Sequence, residues 1–165
     1  MVELSIKKRY SLSKSGITEL TKALSREIGP ASDEFLHGRI ERAETNTGMS
    51  LFIIDRKILL FSGDGWVFPT LKGALTHPFA SRRVVVDMGA VPYVAKGADV
   101  MRPGIVSYSD DFKEGDPVHV VEERHGKTLA IGKALICSEL MSEHESGKVI
   151  KNLHHIGDPL WNLEL

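Results

Sequence analysis

The chain of 165 residues carries a single cysteine, Cys137, and only 7% aromatic residues. One thiol cannot close an internal disulfide and falls far short of a cysteine metal cluster, which excludes a disulfide-stapled secreted module. Long apolar runs are also missing. The longest, 51–54 and 58–61, are strand-sized, whereas a membrane-spanning helix needs about 20 apolar residues in succession. The N-terminal stretch MVELSIKKRYSL has no basic segment leading into an apolar one and no small-residue cleavage site, so the expectation is a cytoplasmic protein without a secretory signal. Internal repeats and low-complexity tracts are absent. Charge of neither sign dominates: 21 Lys and Arg against 22 Asp and Glu give a net charge of −1. Taken alone, that total argues against a strongly basic nucleic-acid binder. What is present, 42% hydrophobic and 26% charged residues, is the composition of a folded globular protein.

The near-zero total hides a partition. Residues 1–82 hold 12 basic and 9 acidic side chains, net +3, while residues 83–165 hold 9 and 13, net −4. Any basic surface in the second half must therefore be local.

The pattern of apolar residues and turn formers predicts two small folded halves, a size at which domains still fold alone with thin cores. In the first, residues 1–7 alternate weakly as a strand. Ser13 or Ser15 caps a helix whose Ile17, Leu20, Leu24 and Ile28 recur at helical spacing, and Gly29-Pro30 ends it. A short helix is expected over 32–37 and a strand over 39–45. Asn46-Thr47-Gly48 and Asp55-Arg56-Lys57 read as turns around two apolar strands, and 62–78 as a turn-rich segment. After Phe79 come a buried strand over 84–87 and a helix over 89–96 that tolerates Pro92 only in its first turn. Gly97 follows as a left-handed cap, then an apolar loop over 98–104, strands near 105–107, 117–122 and 128–137, and a last strand over 149–155. Gly132 marks a bulge or a close approach. Short strands with one short helix point to a small β barrel or sandwich.

Signatures of catalysis are lacking. There is no nucleophile turn, and Cys137, read as lying in a strand beside Ser138, is expected to be a packing thiol. None of the seven histidines falls in a metal-binding spacing, and His154 and His155, neighbours on a strand, point to opposite faces, so one cation cannot easily use both with Asp158. Ser62-Gly63-Asp64-Gly65 lacks the Lys and Ser/Thr of a phosphate-binding loop. The expectation is no enzyme, no metal and no cofactor. Binding is better supported. The string GAVPYVAKGADVMRPG, residues 89–104, puts a helix end, a glycine, exposed apolar atoms, Lys96 and Arg102 within a few residues. Backbone N–H groups beside glycine can approach phosphate oxygens, cations add charge-assisted bonds, and an apolar loop can lie against a ribose or base. The plainer alternative makes Gly97 a simple cap and Val100 and Met101 plugs of a barrel end. A second basic set is Lys148, Lys151, Asn152, His154 and His155. Trp161 is expected to pack back on the barrel.

These segments together resemble the PUA domain of pseudouridine synthases and archaeosine transglycosylases. The matching pieces are Val86-Asp87-Met88-Gly89-Ala90, Lys96 through Gly104, Gly115-Asp116-Pro117-Val118, Ala130 through Ala134, and His154 through Trp161. In the first half, Leu59-Leu60-Phe61, Phe68-Pro69-Thr70-Leu71 and His77-Pro78-Phe79 resemble the pre-PUA domain of the malignant T-cell-amplified sequence family and its archaeal-type relatives. The resemblance implies an α+β protein, with an N-terminal α/β pre-PUA domain over 1–80 and a C-terminal PUA domain over 81–165, a small mixed β barrel with a short helix. It further implies a cytoplasmic, non-catalytic RNA-binding protein of translation or RNA modification, contacting a tRNA acceptor region or ribosomal RNA. Carried over, Lys96, Gly97, Ala98, Arg102, Pro103 and Gly104 approach the RNA backbone and terminal nucleotides. Lys148, Lys151, Asn152 and His154 border the same groove. The small ribosomal subunit and a subunit like density-regulated protein are the implied partners, and Lys7, Lys8, Arg9, Arg39 and Arg42 are candidates for further contacts. The alternative is a protein-interaction adaptor docking on the ribosome or an RNA-modification complex, favoured by the acidic second half.

Overall fold

The structure, a computed structural model, describes residues 3–165. The chain divides into two units, one running to Phe79 and including Asn162–Leu165, the other Ala80–Trp161.

In the first unit Ser13 caps the long helix, its hydroxyl accepting the Gly16 N–H at 3.1 Å, and Gly29 follows the last turn at φ 63°. That helix, α1 (Lys14–Ile28), buries Leu20, Leu24 and Ile28 on one face, as their spacing predicts. The strand before it is β1 (Ile6–Ser11), later than expected. Asn46 holds the preceding residues out of the ladder, accepting the Ser5 N–H and donating to the Glu3 carbonyl. Met1 and Val2 of the expected strand lie outside the described residues. The helix expected over 32–37 is instead a 3-10 segment, Gly29–Glu34, opened by Pro30 and followed by the left-handed Gly38.

Strands β2 (Ile40–Thr45), β3 (Ser50–Ile54), β4 (Lys57–Ser62) and β5 (Val67–Pro69) complete an antiparallel sheet in the order β1-β2-β3-β4-β5. The stretch expected to be turn-rich thus also contains β5 and a helix, α2 (Leu71–Thr76). Thr70 explains the helix: its hydroxyl accepts the Gly73 N–H and donates to the Ile58 carbonyl at 2.8 Å, tying the helix start to β4. A Cβ on Gly73 would collide with the Leu59 carbonyl, so only glycine lets α2 lie this close to the strand. Phe79 packs edge-to-face on Phe35 and Phe68, at 6.4 and 5.6 Å between ring centres.

The second unit is a six-stranded sheet forming a nearly closed barrel, in the order β7-β11-β10-β9-β6-β8. Its elements are β6 (Arg83–Val86), α3 (Val91–Val94), β7 (Val100–Met101), β8 (Ile105–Tyr108), β9 (Pro117–Glu122), β10 (Thr128–Ala134) and β11 (Lys148–His155); α4 (Pro159–Asn162) follows. The pair β6/β9 runs parallel and the other pairs antiparallel. The barrel core is aliphatic: Val84, Val86, Val118, Val120, Val149 and Ile150 from the strands, Val94 from α3 and Val100 from β7. Gly132 sits at a register shift of the β10/β11 ladder, where a Cβ would meet the Lys151 carbonyl at 2.8 Å, so the expected close approach is real. Cys137 is a correction. It lies past the end of β10, half-buried, at the start of the 3-10 segment Ser138–Glu143, because the strand yields at Leu135 to the turn that brings the Ser138 N–H to the Phe112 carbonyl.

His119 on β9 is buried, and its Nε2 hydrogen-bonds to the Ser81 carbonyl at 2.9 Å. Burial, reinforced by the Arg83 charge and only partly offset by the Ser81 bond and Asp111, pushes the imidazole down to about 4. The unfolded chain takes up this proton near pH 6.5 and the folded chain only near 4, so stability is lost as pH falls through that window. Chemical unfolding at neutral pH and at about pH 4 should show wild type losing about 3 kcal/mol more than His119→Gln.

Candidate functional site

Helix α3 sets the geometry of the glycine-containing loop. Pro92 lies in its first turn, as its fixed φ requires, and the Asp87 carboxylate accepts the Ala90 N–H at 2.9 Å just before it. The helix ends in a Schellman motif: the Gly97 N–H bonds to the Val94 carbonyl and the Ala98 N–H to the Tyr93 carbonyl, each at 3.0 Å. Gly97 has φ 106°, a conformation that glycine alone adopts readily. The expectation that these two N–H groups face a phosphate is therefore corrected, since both are consumed in closing the helix. What Gly97 contributes is the missing side chain. A Cβ there would stand 2.7 Å from Nε2 of His155, whose ring lies against the loop with Nδ1 donating to the Ile156 carbonyl at 2.9 Å.

Asn152 fastens the loop to β11. Its side-chain amide donates to the Val94 and Ala98 carbonyls, both at 3.0 Å, and its backbone N–H donates to Asp99 at 2.7 Å. Asp99 also pairs with Lys148 at 2.9 Å. Burial opposes ionisation of Asp99, but the bonds from Lys148 and Asn152, with the Lys151 charge beyond, hold its carboxyl below the usual range. Asp99 therefore stays ionised through the physiological range.

Between α3, the loop and β11 lies a groove of about 420 Å³. Ala90, Val94, Ala98 and Gly104 give it small apolar surfaces, Tyr93 and Met101 give it large ones, and the Asp99–Lys148 pair gives it charge. Tyr93 is 70% exposed and Met101 49%, an unusual placement for such residues and one that leaves faces available for a planar ligand. Val100, by contrast, does fill the barrel end.

Of the residues singled out in the sequence, Ala98, Gly104 and Lys148 line this groove, and Gly97 and Asn152 build its wall. Lys96 and Lys151 are exposed but are not among its lining residues, Lys96 preceding Gly97 in the chain and Lys151 preceding Asn152 on β11, and Pro103 is exposed beyond β7. Arg102 is engaged elsewhere. Its Nε donates to the Met141 carbonyl at 2.9 Å, Nη1 donates to the Ile105 carbonyl at 3.3 Å, and the guanidinium stacks on Tyr108. It braces the loop from behind. His154 is likewise corrected. It is 2% exposed, with Nδ1 bonded to Asp158 at 2.8 Å, because strand alternation turns it inward and His155 outward. Asp158 also accepts the His155 and Trp161 N–H groups, and these bonds overcome its burial to hold its carboxyl below the usual range. The structure adds Tyr93 to the site, and of the two histidines in the second basic set it is His155 rather than His154 that meets the glycine loop. An exposed aromatic one turn before a glycine cap is the sequence signal for Tyr93, and strand alternation for His155.

Among the described residues no group of three His, Cys, Asp or Glu side chains is placed to hold a metal ion, and no helix is long and apolar enough to cross a membrane.

The barrel and its loop define the class: residues 82–156 match the PUA domain family. Over 133 residues, 77% of this chain and 74% of the relative, the sequence is 32% identical to Translation machinery-associated protein 20 of Saccharomyces cerevisiae. It is 27% identical over 120 residues to Malignant T-cell-amplified sequence 1 of Danio rerio, covering 70% of this chain and 66% of that one. The chain belongs to the malignant T-cell-amplified sequence family of PUA-domain proteins. An uncharacterized protein of Methanocaldococcus jannaschii is 39% identical across 98% of this chain and 99% of its own length. A solved structure from Pyrococcus horikoshii matches with a TM-score of 0.84 at 35% identity, covering 93% of this chain and 98% of that one.

Proposed function

We propose that the chain is a non-catalytic RNA-binding protein of translation, and that the groove holds the single-stranded end of a structured RNA such as a tRNA acceptor region or ribosomal RNA. One observation carries this reading: an exposed tyrosine and methionine share one groove with Lys148, and the charge of Lys151 reaches the Asp99 that also lines it, so the groove offers a stacking face together with cations for the backbone. The relatives' names support the setting in translation. The cytoplasm, the small ribosomal subunit and a subunit like density-regulated protein are the proposed surroundings. Because phosphate contacts release counterions, binding should weaken steeply as salt rises.

Fluorescence anisotropy with an acceptor-stem mimic, with and without a 3′ overhang, tests the proposal. Tyr93→Ala should weaken the overhang complex by about tenfold, the value of one stacked base, and leave the blunt stem unaffected. Equal affinity of wild type and variant for the overhang RNA would remove the groove as the site. The adaptor reading has the net −4 of residues 83–165 in its favour. It requires that a protein partner be retained at full strength after RNase treatment.

A further inference from the structure

The first unit holds a second polar site, remote in sequence from the glycine loop. Arg9 on β1, Arg39 just before β2, and Arg56 in the β3–β4 turn line a pocket of about 250 Å³ together with Glu41 and Asp55. Both carboxylates are already engaged. Glu41 accepts Arg9 through Nε at 3.0 Å and Nη2 at 2.7 Å, and forms an ion pair with Arg39 at 3.2 Å. Asp55 accepts the Arg39 N–H at 3.3 Å. Glu41 thus orients one guanidinium, draws a second towards it and leaves each with N–H groups to spare, because one carboxylate cannot saturate two five-donor forks. The third, Arg56, is exposed and has no partner among the described residues. With three cations against two anions, the lining keeps a net positive charge.

The turn that presents Arg56 is itself informative. A two-residue hairpin with both φ positive selects Asn-Gly or Asp-Gly, yet here Asp55 has φ 50° and Arg56 φ 69°. An arginine where glycine fits without strain is a local conflict between sequence and backbone, and such conflicts gather at functional positions. Gly38 makes the opposite choice. At φ 84° it lies so close to the Asp55 carboxylate that any side chain would displace it.

We propose that Arg9, Arg39 and Arg56 form a binding site for a phosphate group, either a backbone phosphodiester or a free phosphate. The pocket suits a tetrahedral oxyanion: Glu41 fixes the Arg9 guanidinium by two hydrogen bonds and draws the exposed Arg39 towards it, the third guanidinium closes from the turn, and no apolar surface is needed. This site is independent of the proposed groove and stands if that proposal fails.

The test uses nitrogen-15-labelled full-length protein. Inorganic phosphate, added at constant ionic strength, should shift the Nε–H resonances of Arg9, Arg39 and Arg56 saturably, and chloride should not. Arg56→Gly should bind phosphate about tenfold more weakly, the loss of one charge-assisted contact, while melting no lower than wild type because the turn is relieved. A single-stranded oligonucleotide that shifts the same resonances and competes with phosphate assigns the site to a backbone phosphodiester. A phosphate shift without an oligonucleotide shift assigns it to free phosphate. Unshifted arginines with both ligands, or equal affinity in Arg56→Gly, would overturn the proposal. The Gly97 amide and the Tyr93 ring report separately on the groove.

Discussion

Replacing Lys96 and Lys151 together by glutamate is expected to weaken binding of an acceptor-stem RNA by about a hundredfold at low salt and to change thermal stability little. Neither lysine belongs to a salt bridge among the described residues, and Lys151 acts on Asp99 only through its charge, the weakest of the influences on that carboxyl, so the fold depends little on them. Each reversal removes a phosphate contact and adds a repulsive charge, at about 1.4 kcal/mol or tenfold apiece. The slope of log affinity against log salt should become shallower by about two. Anisotropy titrations over a salt series measure both quantities, and unchanged affinity would eliminate this face. Arg102→Glu is a poor substitute despite its conspicuous place in the sequence. It strips donors from the Met141 and Ile105 carbonyls, so any lost binding is confounded with a loosened loop.

Gly132→Val is expected to cost the second unit more than about 3 kcal/mol, the largest stability effect of any single substitution named here. The new Cβ would meet the Lys151 carbonyl at 2.8 Å and the Ile150 side chain at 2.5 Å. Ile150 is fully buried in the barrel core and the carbonyl belongs to the ladder, so neither can retreat cheaply. Lys151 and Asn152 sit on the strand that must move, so groove binding should fall with stability. Denaturant unfolding followed by Trp161 fluorescence in a Trp66→Phe background measures the loss. A variant as stable as wild type would show that the β10/β11 ladder opens at little cost to admit a side chain.

Much of this architecture could be read from residue types. The 3.6-residue recurrence of Leu20, Leu24 and Ile28, the cap at Ser13 and the stop at Gly29-Pro30 are local signals, and α1 follows them. Gly97 and Gly132 announce a left-handed cap and a close approach, and both are present. The failures have a common cause. Leu71–Thr76 contains a glycine and follows Pro69, so its composition suggests turns, and only the contact of Gly73 with β4 makes it a helix. Strand β7 is two residues long and exists because β11 pairs with it. Residue type marks Arg102 and His154 as site candidates, but a guanidinium or imidazole serves backbone carbonyls and a buried carboxylate equally well. Only three-dimensional placement separates the two uses. Tyr93 escapes a reading by residue type for the converse reason, since its exposure is a property of the packed barrel.

The parallel pairing of β6 with β9 has a kinetic consequence. Arg83 opposes His119, so the barrel closes only after the whole intervening chain has been arranged, and that chain contains α3, the glycine loop, β7 and β8. Contacts between such distant residues carry a loop-closure cost before they return any stability, which places folding of this unit on the slow, milliseconds-to-seconds scale of non-local β topologies. The groove then has no existence apart from the finished barrel. Its loop is held by Asn152 and its charged rim by Lys148, both on the last strand in the chain. A peptide of residues 89–104 would carry every loop side chain and none of the affinity.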